Sequence, residues 1–160
     1  MATKEDLEKG EGYTLARHND PVAQLLLARS VKERESPAAW AKLFAGRLAA
    51  GQQEDGSWKA GGQLPSQKRP ERETQEVTTM WSLVALESYG PADQTLRPRF
   101  TKAREWLGSE TEAKSTEWWA VRLLLERYSD NVAEADRCRD AILKNQHDGI
   151  PFRTVPRSGR

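Results

Sequence analysis

Apolar residues recur along the chain at the three- to four-residue spacing of amphipathic helices, and the alternating pattern of strands is nearly absent. This periodicity predicts six helices, at about 21–34, 37–51, 74–89, 96–107, 115–128 and 131–145. Asp-Pro at 20–21 and Ser-Pro at 36–37 predict helix starts, because a side-chain oxygen caps the helix and proline suits its first position. Asn131 with Glu134 three residues later is a variant of the capping box and predicts a third start.

The width of the apolar stripe alternates from one predicted helix to the next. The segments at 21–34, 74–89 and 115–128 carry apolar residues around most of the circumference, which predicts helices enclosed on several sides. The other three have one narrow stripe each: Trp40, Leu43, Phe44 and Leu48; Leu96, Phe100, Ala103 and Leu107; Ala135, Cys138 and Ile142. This order is what a two-layer array of three helical hairpins would produce, and periodicity alone fits the following alternative equally well. A plain six-helix bundle, whose stripe widths vary by chance, is the alternative.

The length of 160 residues predicts a single domain over 1–160. A hydrophobic fraction of 37% with 31% charged residues is typical of a folded chain and not of a disordered one. Residues 59–73 collect glycine and proline and predict a surface connection, and the tail from about 151 lacks periodicity and should be flexible.

The charge balance and the single cysteine limit the classes of partner and compartment. A formal net charge of +1 offers no strong field for nucleic acid or an anionic membrane, so neither partner is expected. No apolar run approaches the length of a membrane span. Cys138 has no second cysteine with which to form an intramolecular disulfide, which fits a reducing compartment, and we expect a cytoplasmic protein.

The strongest local motif is a seven-residue turn that follows the second predicted helix, Gln52-Gln53-Glu54-Asp55-Gly56-Ser57-Trp58. Glycine after aspartate can take the positive φ that ends a helix and turns the chain. A tryptophan in such a polar turn should pack back onto the helices that the turn joins.

The spacing Gln-x-x-x-Gly-x-Trp resembles the repeated Gln/Trp motif of squalene-hopene cyclases, oxidosqualene cyclases and the related prenyltransferase repeats. A shorter copy, Gln146-His147-Asp148-Gly149-Ile150-Pro151-Phe152, follows the last predicted helix. With the intervening helices, the resemblance covers about 40–150 and extends to the bacterial branch of these cyclase-like proteins. It implies an all-α fold, a partial α/α toroid of about three helical hairpins. In that family the glutamine meets backbone at helix ends and the tryptophan packs nearby.

The acid with which these cyclases protonate their substrates comes from an Asp-x-Asp-Asp cluster, and this sequence contains none. The nearest acidic pairs are Glu54 with Asp55 and Glu71 with Glu73, which we expect to be solvated turn residues because nothing in the sequence predicts their burial. No residue is therefore assigned as catalytic.

Related prenyltransferases bind zinc through aspartate, cysteine and histidine. The corresponding side chains here are Cys138, His18 and His147, which lack metal-ligand spacing. We expect Cys138 to be a buried core thiol and both histidines to lie at the surface, so no metal and no cofactor is predicted.

Six tryptophans are many for this length. Aromatic rings line the cavities of terpenoid cyclases, where their faces stabilise cations, and Trp81, Trp118 and Trp119 lie on helices assigned to the inner layer. Core packing is the favoured interpretation of the three, and a cavity that holds an apolar or isoprenoid ligand is the alternative.

The sequence thus favours a non-catalytic squalene-cyclase-like helical repeat domain that acts as a scaffold or binding module. The alternative is a segment or subunit of a terpenoid cyclase, a squalene-hopene cyclase-type isomerase whose catalytic acid lies outside this chain. A carbohydrate-active toroid is a weaker third hypothesis, since it requires paired carboxylates. About three hairpins make half a toroid of this family, so the hypothetical partner is a second copy or the remainder of a longer toroid.

Overall fold

The structure is a computed structural model that describes residues 22–23, 25–26, 39–60, 69–89, 94–108 and 115–147. Five helices run in the order α1 (Ala39–Ala50), α2 (Glu71–Tyr89), α3 (Arg97–Leu107), α4 (Thr116–Tyr128) and α5 (Val132–His147). The described residues at 22–26 are also helical. Within the described ranges the only β-type pairing is an isolated bridge between Gln52 and Trp58, so the predicted all-α class is confirmed. Closure into a toroid stays a prediction.

Helix α2 begins three residues earlier than predicted, inside the segment that we expected to be a loop. The backbone N–H of Thr74 donates to the carbonyl of Pro70 at 3.0 Å, which closes the first turn directly after the proline. Glu71 and Glu73 lie in that first turn, where a negative charge complements the helix dipole. The predicted starts at 21 and 37 lie outside the described residues.

Helix α2 is the centre of the described fold, since it packs against α1, α3 and α4. Its buried residues cover most of its circumference: Glu73, Thr74, Glu76, Val77, Thr78, Thr79, Met80, Ser82, Leu83, Val84, Ala85 and Leu86. The hydroxyls of Thr78 and Ser82 donate to carbonyls four residues earlier at 2.8 and 2.7 Å, which satisfies these polar groups inside the core. The prediction of an enclosed helix is confirmed here.

Helix α4 is less enclosed than its sequence predicted. Trp118, Val121, Leu125 and Glu126 are buried, but Leu124 is 36% exposed. Helix α4 packs against both α2 and α5, and these two neighbours leave Leu124 exposed. The count of apolar residues around a helix therefore overestimated the number of neighbours that cover it.

Most described side chains of the narrow stripes are buried, and Leu43, Phe100 and Ile142 are half-buried. Phe44 and Leu48 are buried on α1, Ala103 and Leu107 on α3, and Ala135 and Cys138 on α5. Helix α5 packs chiefly against α4. None of the helices in the described part of the chain is long and apolar enough to cross a bilayer.

Candidate functional site

The turn after α1 is a junction where side chains satisfy the backbone of other elements. Nε2 of Gln52 donates to the carbonyl of Gly56 at 2.8 Å and to the carbonyl of Arg99, in the first turn of α3, at 2.9 Å. In return, Nη1 of Arg99 donates to the carbonyl of Ala49 at 2.9 Å. The last carbonyls of a helix have no partner within that helix, so Arg99 caps α1 while Gln52 anchors α3.

Trp58 joins the same turn to α1 and α2. Its side chain is 1% exposed, and its indole nitrogen donates to the carbonyl of Leu48 in the last turn of α1 at 2.7 Å. Its backbone N–H donates to Oγ1 of Thr79 on α2 at 3.0 Å. The ring packs back onto the helices, as its position in a polar turn predicted.

Asp55 organises the loop between these two anchors. Its Oδ1 accepts hydrogen bonds from the backbone N–H of Ser57 at 2.9 Å and from the Ser57 hydroxyl at 2.6 Å. The hydrogen bond from the Ser57 hydroxyl is the main cause that lowers the pKa of Asp55, and a Trp106 side-chain bond lowers it further. Ser57 Oγ also accepts from Gln75 on α2 at 2.8 Å, which ties the loop to the core.

Gly56 allows the close approach of this loop to α3. Its φ is 99°, in the left-handed region that favours glycine, and a Cβ at this position would lie 2.5 Å from the carbonyl oxygen of Lys102. We refer to residues 52–58 with these partners as the Gln52–Trp58 corner, which brings together three helices. Of the shorter second motif, Gln146 lies in the last turn of α5 and Asp148 and Gly149 lie outside the described residues, so a similar junction there stays a prediction.

Two buried carboxylates link helices within the core, and neither was singled out from the sequence. Glu76 on α2 accepts hydrogen bonds from the Trp118 indole at 2.7 Å and from Nε of Arg72 at 2.9 Å. Glu126 on α4 lies 2.7 Å from Nε of Arg122 and accepts from Nδ2 of Asn131 at 2.9 Å. The sequence offered one signal for these two carboxylates, which is an acidic residue within an otherwise apolar stripe.

Asn131 immediately precedes α5, where the capping-box pattern predicted it, but its amide nitrogen takes part in the bond to Glu126. The side chain thus ties the start of α5 to α4.

The two acidic pairs that we expected to be solvated behave differently. Glu54, Asp55 and Glu71 are exposed, as predicted. Glu73 is 5% exposed, and its Oε1 has no hydrogen-bond partner within the described residues. The prediction was wrong for Glu73 because the loop in which it was placed is the first turn of α2, and this turn directs Glu73 into the core.

The three candidate cavity aromatics pack as part of the core. Trp118 is buried and meets Trp119 edge-to-face, with ring centroids 5.0 Å apart and an interplanar angle of 80°. Trp119 and Trp81 are partly buried against the same hydrophobic cluster. The guanidinium of Arg137 on α5 lies 5.9 Å from the Trp119 ring centroid.

Cys138 is a buried core thiol, as predicted. Burial raises its pKa to about 11, and the nearby carboxylate of Glu134 adds to the shift. Among the described residues, no group of three or more histidine, cysteine, aspartate or glutamate side chains is placed to hold a metal ion. His18 and the side chain of His147 lie outside the described part.

Comparisons with protein-family models, with curated proteins and with solved structures found no match to this chain.

Proposed function

We propose that this chain is a non-catalytic, squalene-cyclase-like helical repeat domain that acts as a scaffold or binding module. The observation that carries the proposal is the Gln52–Trp58 corner, whose most distinctive side chains turn inward. Gln52 and Trp58 donate to the backbone of α1, the corner and α3, and Thr79 of α2 accepts from the Trp58 backbone. Groups engaged in this way stabilise helix junctions and are withdrawn from any substrate.

The core carboxylates support the same role. A general acid must lie within hydrogen-bond reach of the group that it protonates. Glu76 and Glu126 instead accept hydrogen bonds from side chains of the fold, and the Glu76 contact with Trp118 crosses from α2 to α4. Their contacts suit the maintenance of helix packing.

One observation favours the second candidate function, a segment of a terpenoid cyclase. Glu73 is buried on the central helix, and Oε1 of this residue has no hydrogen-bond partner within the described residues. A carboxyl group in that setting could face an apolar substrate once the rest of such an enzyme is present. Glu73 is therefore the residue on which the two proposals can be separated.

The test is incubation of the full chain with squalene and, separately, with farnesyl diphosphate, followed by mass-spectrometric analysis of the products. We expect no product beyond that of heat-denatured chain. Turnover that is lost in Glu73→Gln and kept in Glu54→Gln, with unchanged circular dichroism for both variants, would overturn the non-catalytic proposal. Glu54 is the matched control because it is exposed in the turn.

A scaffold of this kind could assemble by pairing with a second copy. The exposed large apolar residues of the described part are Leu124, Val132 and Leu143, all on the α4–α5 hairpin. Light scattering over a range of concentrations tests this form of the proposal. A mass that rises with concentration supports pairing, and a folded monomer throughout contradicts it.

A further inference from the structure

A groove of about 500 Å³ opens along α3, beside the C-terminal ends of α2 and α4. This volume lies in the range of small-molecule sites. Two arginines, Arg97 and Arg104, line it together with one carboxylate, Glu87. We call it the Arg104 groove, after the residue that spans it.

Arg104 is held in place from two sides. Its Nη2 donates to Oε1 of Glu87 at 2.8 Å and also contacts the Ser129 hydroxyl, while Nη1 lies 3.9 Å from the carboxylate of Glu126. A guanidinium carries five N–H groups in a rigid plane. The hydrogen bonds of Arg104 within the described residues engage Nη2, and Nη1 forms the longer ion pair with Glu126, so Nε is the donor that makes no contact among these residues.

The charge of the lining selects the ligand class. Arg97 is exposed, and no carboxylate of the described residues pairs with it. With Arg104 and Glu87, the lining carries a formal charge of +1. Glu126, behind Arg104, lies 2.7 Å from its own partner Arg122. One negative charge balances this lining, whereas the nearly doubly charged phosphate monoester exceeds it and is repelled more strongly by Glu87 than a monocarboxylate is.

The other residues that line the Arg104 groove are two aromatic residues and two hydroxyl residues. Phe100 and Tyr128 are half-buried and offer aromatic surface. The hydroxyls of Thr101 and Ser129 donate to the carbonyls of Arg97 and Leu125, so they offer an incoming anion no proton. The positively charged donors for an anion are the two arginines, whose planar fork matches a carboxylate.

We propose that the Arg104 groove binds a small organic monocarboxylate with an aromatic or branched apolar body. The carboxylate lies against the guanidinium groups of Arg97 and Arg104, and the apolar body packs between Phe100 and Tyr128. This assignment rests on the proposed function, because it names a ligand for the binding module and assigns no reaction to the groove.

The experiment is a titration of the ¹⁵N-labelled full chain with phenylacetate, followed by amide chemical shifts. Phenyl phosphate and 2-phenylethanol serve as the dianionic and neutral probes. We expect saturable shifts centred on the amides of Phe100, Arg104 and Tyr128, with phenylacetate bound more tightly than either other probe. No saturable shift at these amides, or equal binding of 2-phenylethanol, overturns the proposal.

Two variants test the charge argument. Arg97→Gln should weaken phenylacetate binding about threefold to tenfold, whereas Arg127→Gln, an exposed arginine of α4 outside the groove, should leave it unchanged. Glu87→Gln keeps an acceptor for Arg104 and raises the charge of the lining, so phenyl phosphate should gain relative to phenylacetate. Equal effects of Arg97→Gln and Arg127→Gln, or no gain for phenyl phosphate, contradict the assignment.

Different results would contradict the groove assignment and the non-catalytic role. Absence of binding in a folded chain removes the groove assignment and leaves the non-catalytic role intact. Turnover of squalene or farnesyl diphosphate removes that role, whatever the titration shows.

Discussion

The indole nitrogen of Trp118 donates a 2.7 Å hydrogen bond to Oε2 of Glu76, and both side chains are buried. The two residues lie on α4 and α2, so a directional polar contact crosses the interface between these helices. Arg72 donates to the other oxygen of the same carboxylate. Because a hydrogen bond is sensitive to direction, this contact restrains the rotation of α4 against α2.

Substitution of Trp118 by phenylalanine keeps an aromatic ring but removes the donor. A buried acceptor that loses its donor costs about 1–3 kcal/mol, so we expect the free energy of unfolding in urea to fall by this amount. Trp119→Phe is the control, since within the described residues the Trp119 indole makes ring contacts and no hydrogen bond. Equal losses in the two variants would show that the bond to Glu76 contributes nothing specific.

The stability of the chain should depend on both the length and the charge of the side chain at position 52. Gln52→Ala removes the donor to the carbonyls of Gly56 and Arg99 and should cost about 1–3 kcal/mol. Gln52→Glu should also destabilise the chain at neutral pH, because an acceptor replaces a donor opposite two carbonyl oxygens. Pairing of the new carboxylate with Nη1 of Arg99, which lies 3.4 Å from Oε1 of Gln52, offsets part of this loss. Glu54→Ala, in the exposed part of the turn, should change stability by less than about 0.5 kcal/mol. Unfolding in denaturant measures the stabilities of the three variants. A Gln52→Glu variant as stable as wild type contradicts the prediction.

Two glycine substitutions should have opposite signs. Gly56→Ala places a Cβ 2.5 Å from the Lys102 carbonyl at a φ of 99°, and we expect a loss of at least about 2 kcal/mol. Gly46 lies within α1, and a Cβ there meets nothing within 4 Å. Gly46→Ala should stabilise the chain by about 0.5–1 kcal/mol, since alanine favours the helix. Thermal unfolding of both variants checks the signs, and a stabilising Gly56→Ala would refute the junction described here.

Asp55 should contribute stability that disappears in acid. Its pKa is lowered in the folded state, mainly by the Ser57 hydroxyl. A group with a lowered folded pKa contributes fully above its unfolded value and loses the contribution as pH falls through the folded value. The difference in melting temperature between wild type and Asp55→Asn should therefore be largest above about pH 5 and shrink towards about pH 3. A difference independent of pH, measured by calorimetry, contradicts this.

Cys138 should contribute stability that disappears at alkaline pH, whereas the contribution of Asp55 disappears in acid. Burial raises its pKa from 9.0 to about 11, so its contribution is complete below the unfolded value and is lost as pH rises through the folded one. Relative to Cys138→Ala, wild type should lose stability between about pH 9 and about pH 11. A disulfide reagent at pH 8 should label the thiol rapidly only after unfolding in guanidinium chloride. Rapid labelling of the native chain would show that the α4–α5 interface is open.

Local patterns accounted for much of the fold. The repeat Leu96, Phe100, Ala103 and Leu107 predicted a helix over 96–107, and α3 spans Arg97–Leu107. Periodicity at 115–128 was equally informative, since α4 spans Thr116–Tyr128. The corner was also predictable, because Asp55 before Gly56 is a chemical signature of a turn. Each of these signals depends on residues within one or two turns of one another.

Local sequence patterns did not predict the different environments of Glu71 and Glu73. Residues two apart on a helix point about 200° from one another, so one became exposed and the other buried once the segment was helical. Whether that turn was a helix or a loop decided the environment of both carboxylates.

The sequence by itself determined the positions of the described helices, most of their ends and the turn that follows α1, because helix periodicity and turn chemistry act over short distances along the chain. Tertiary structure alone decided that Glu76 meets Trp118 across 42 residues, that one flank of α4 is left uncovered, and that Arg97, Arg104 and Glu87 share a groove. These features depend on which faces of separate helices pack together. Many arrangements of the same amphipathic stripes satisfy the pattern, and the contacts between helices select one of them.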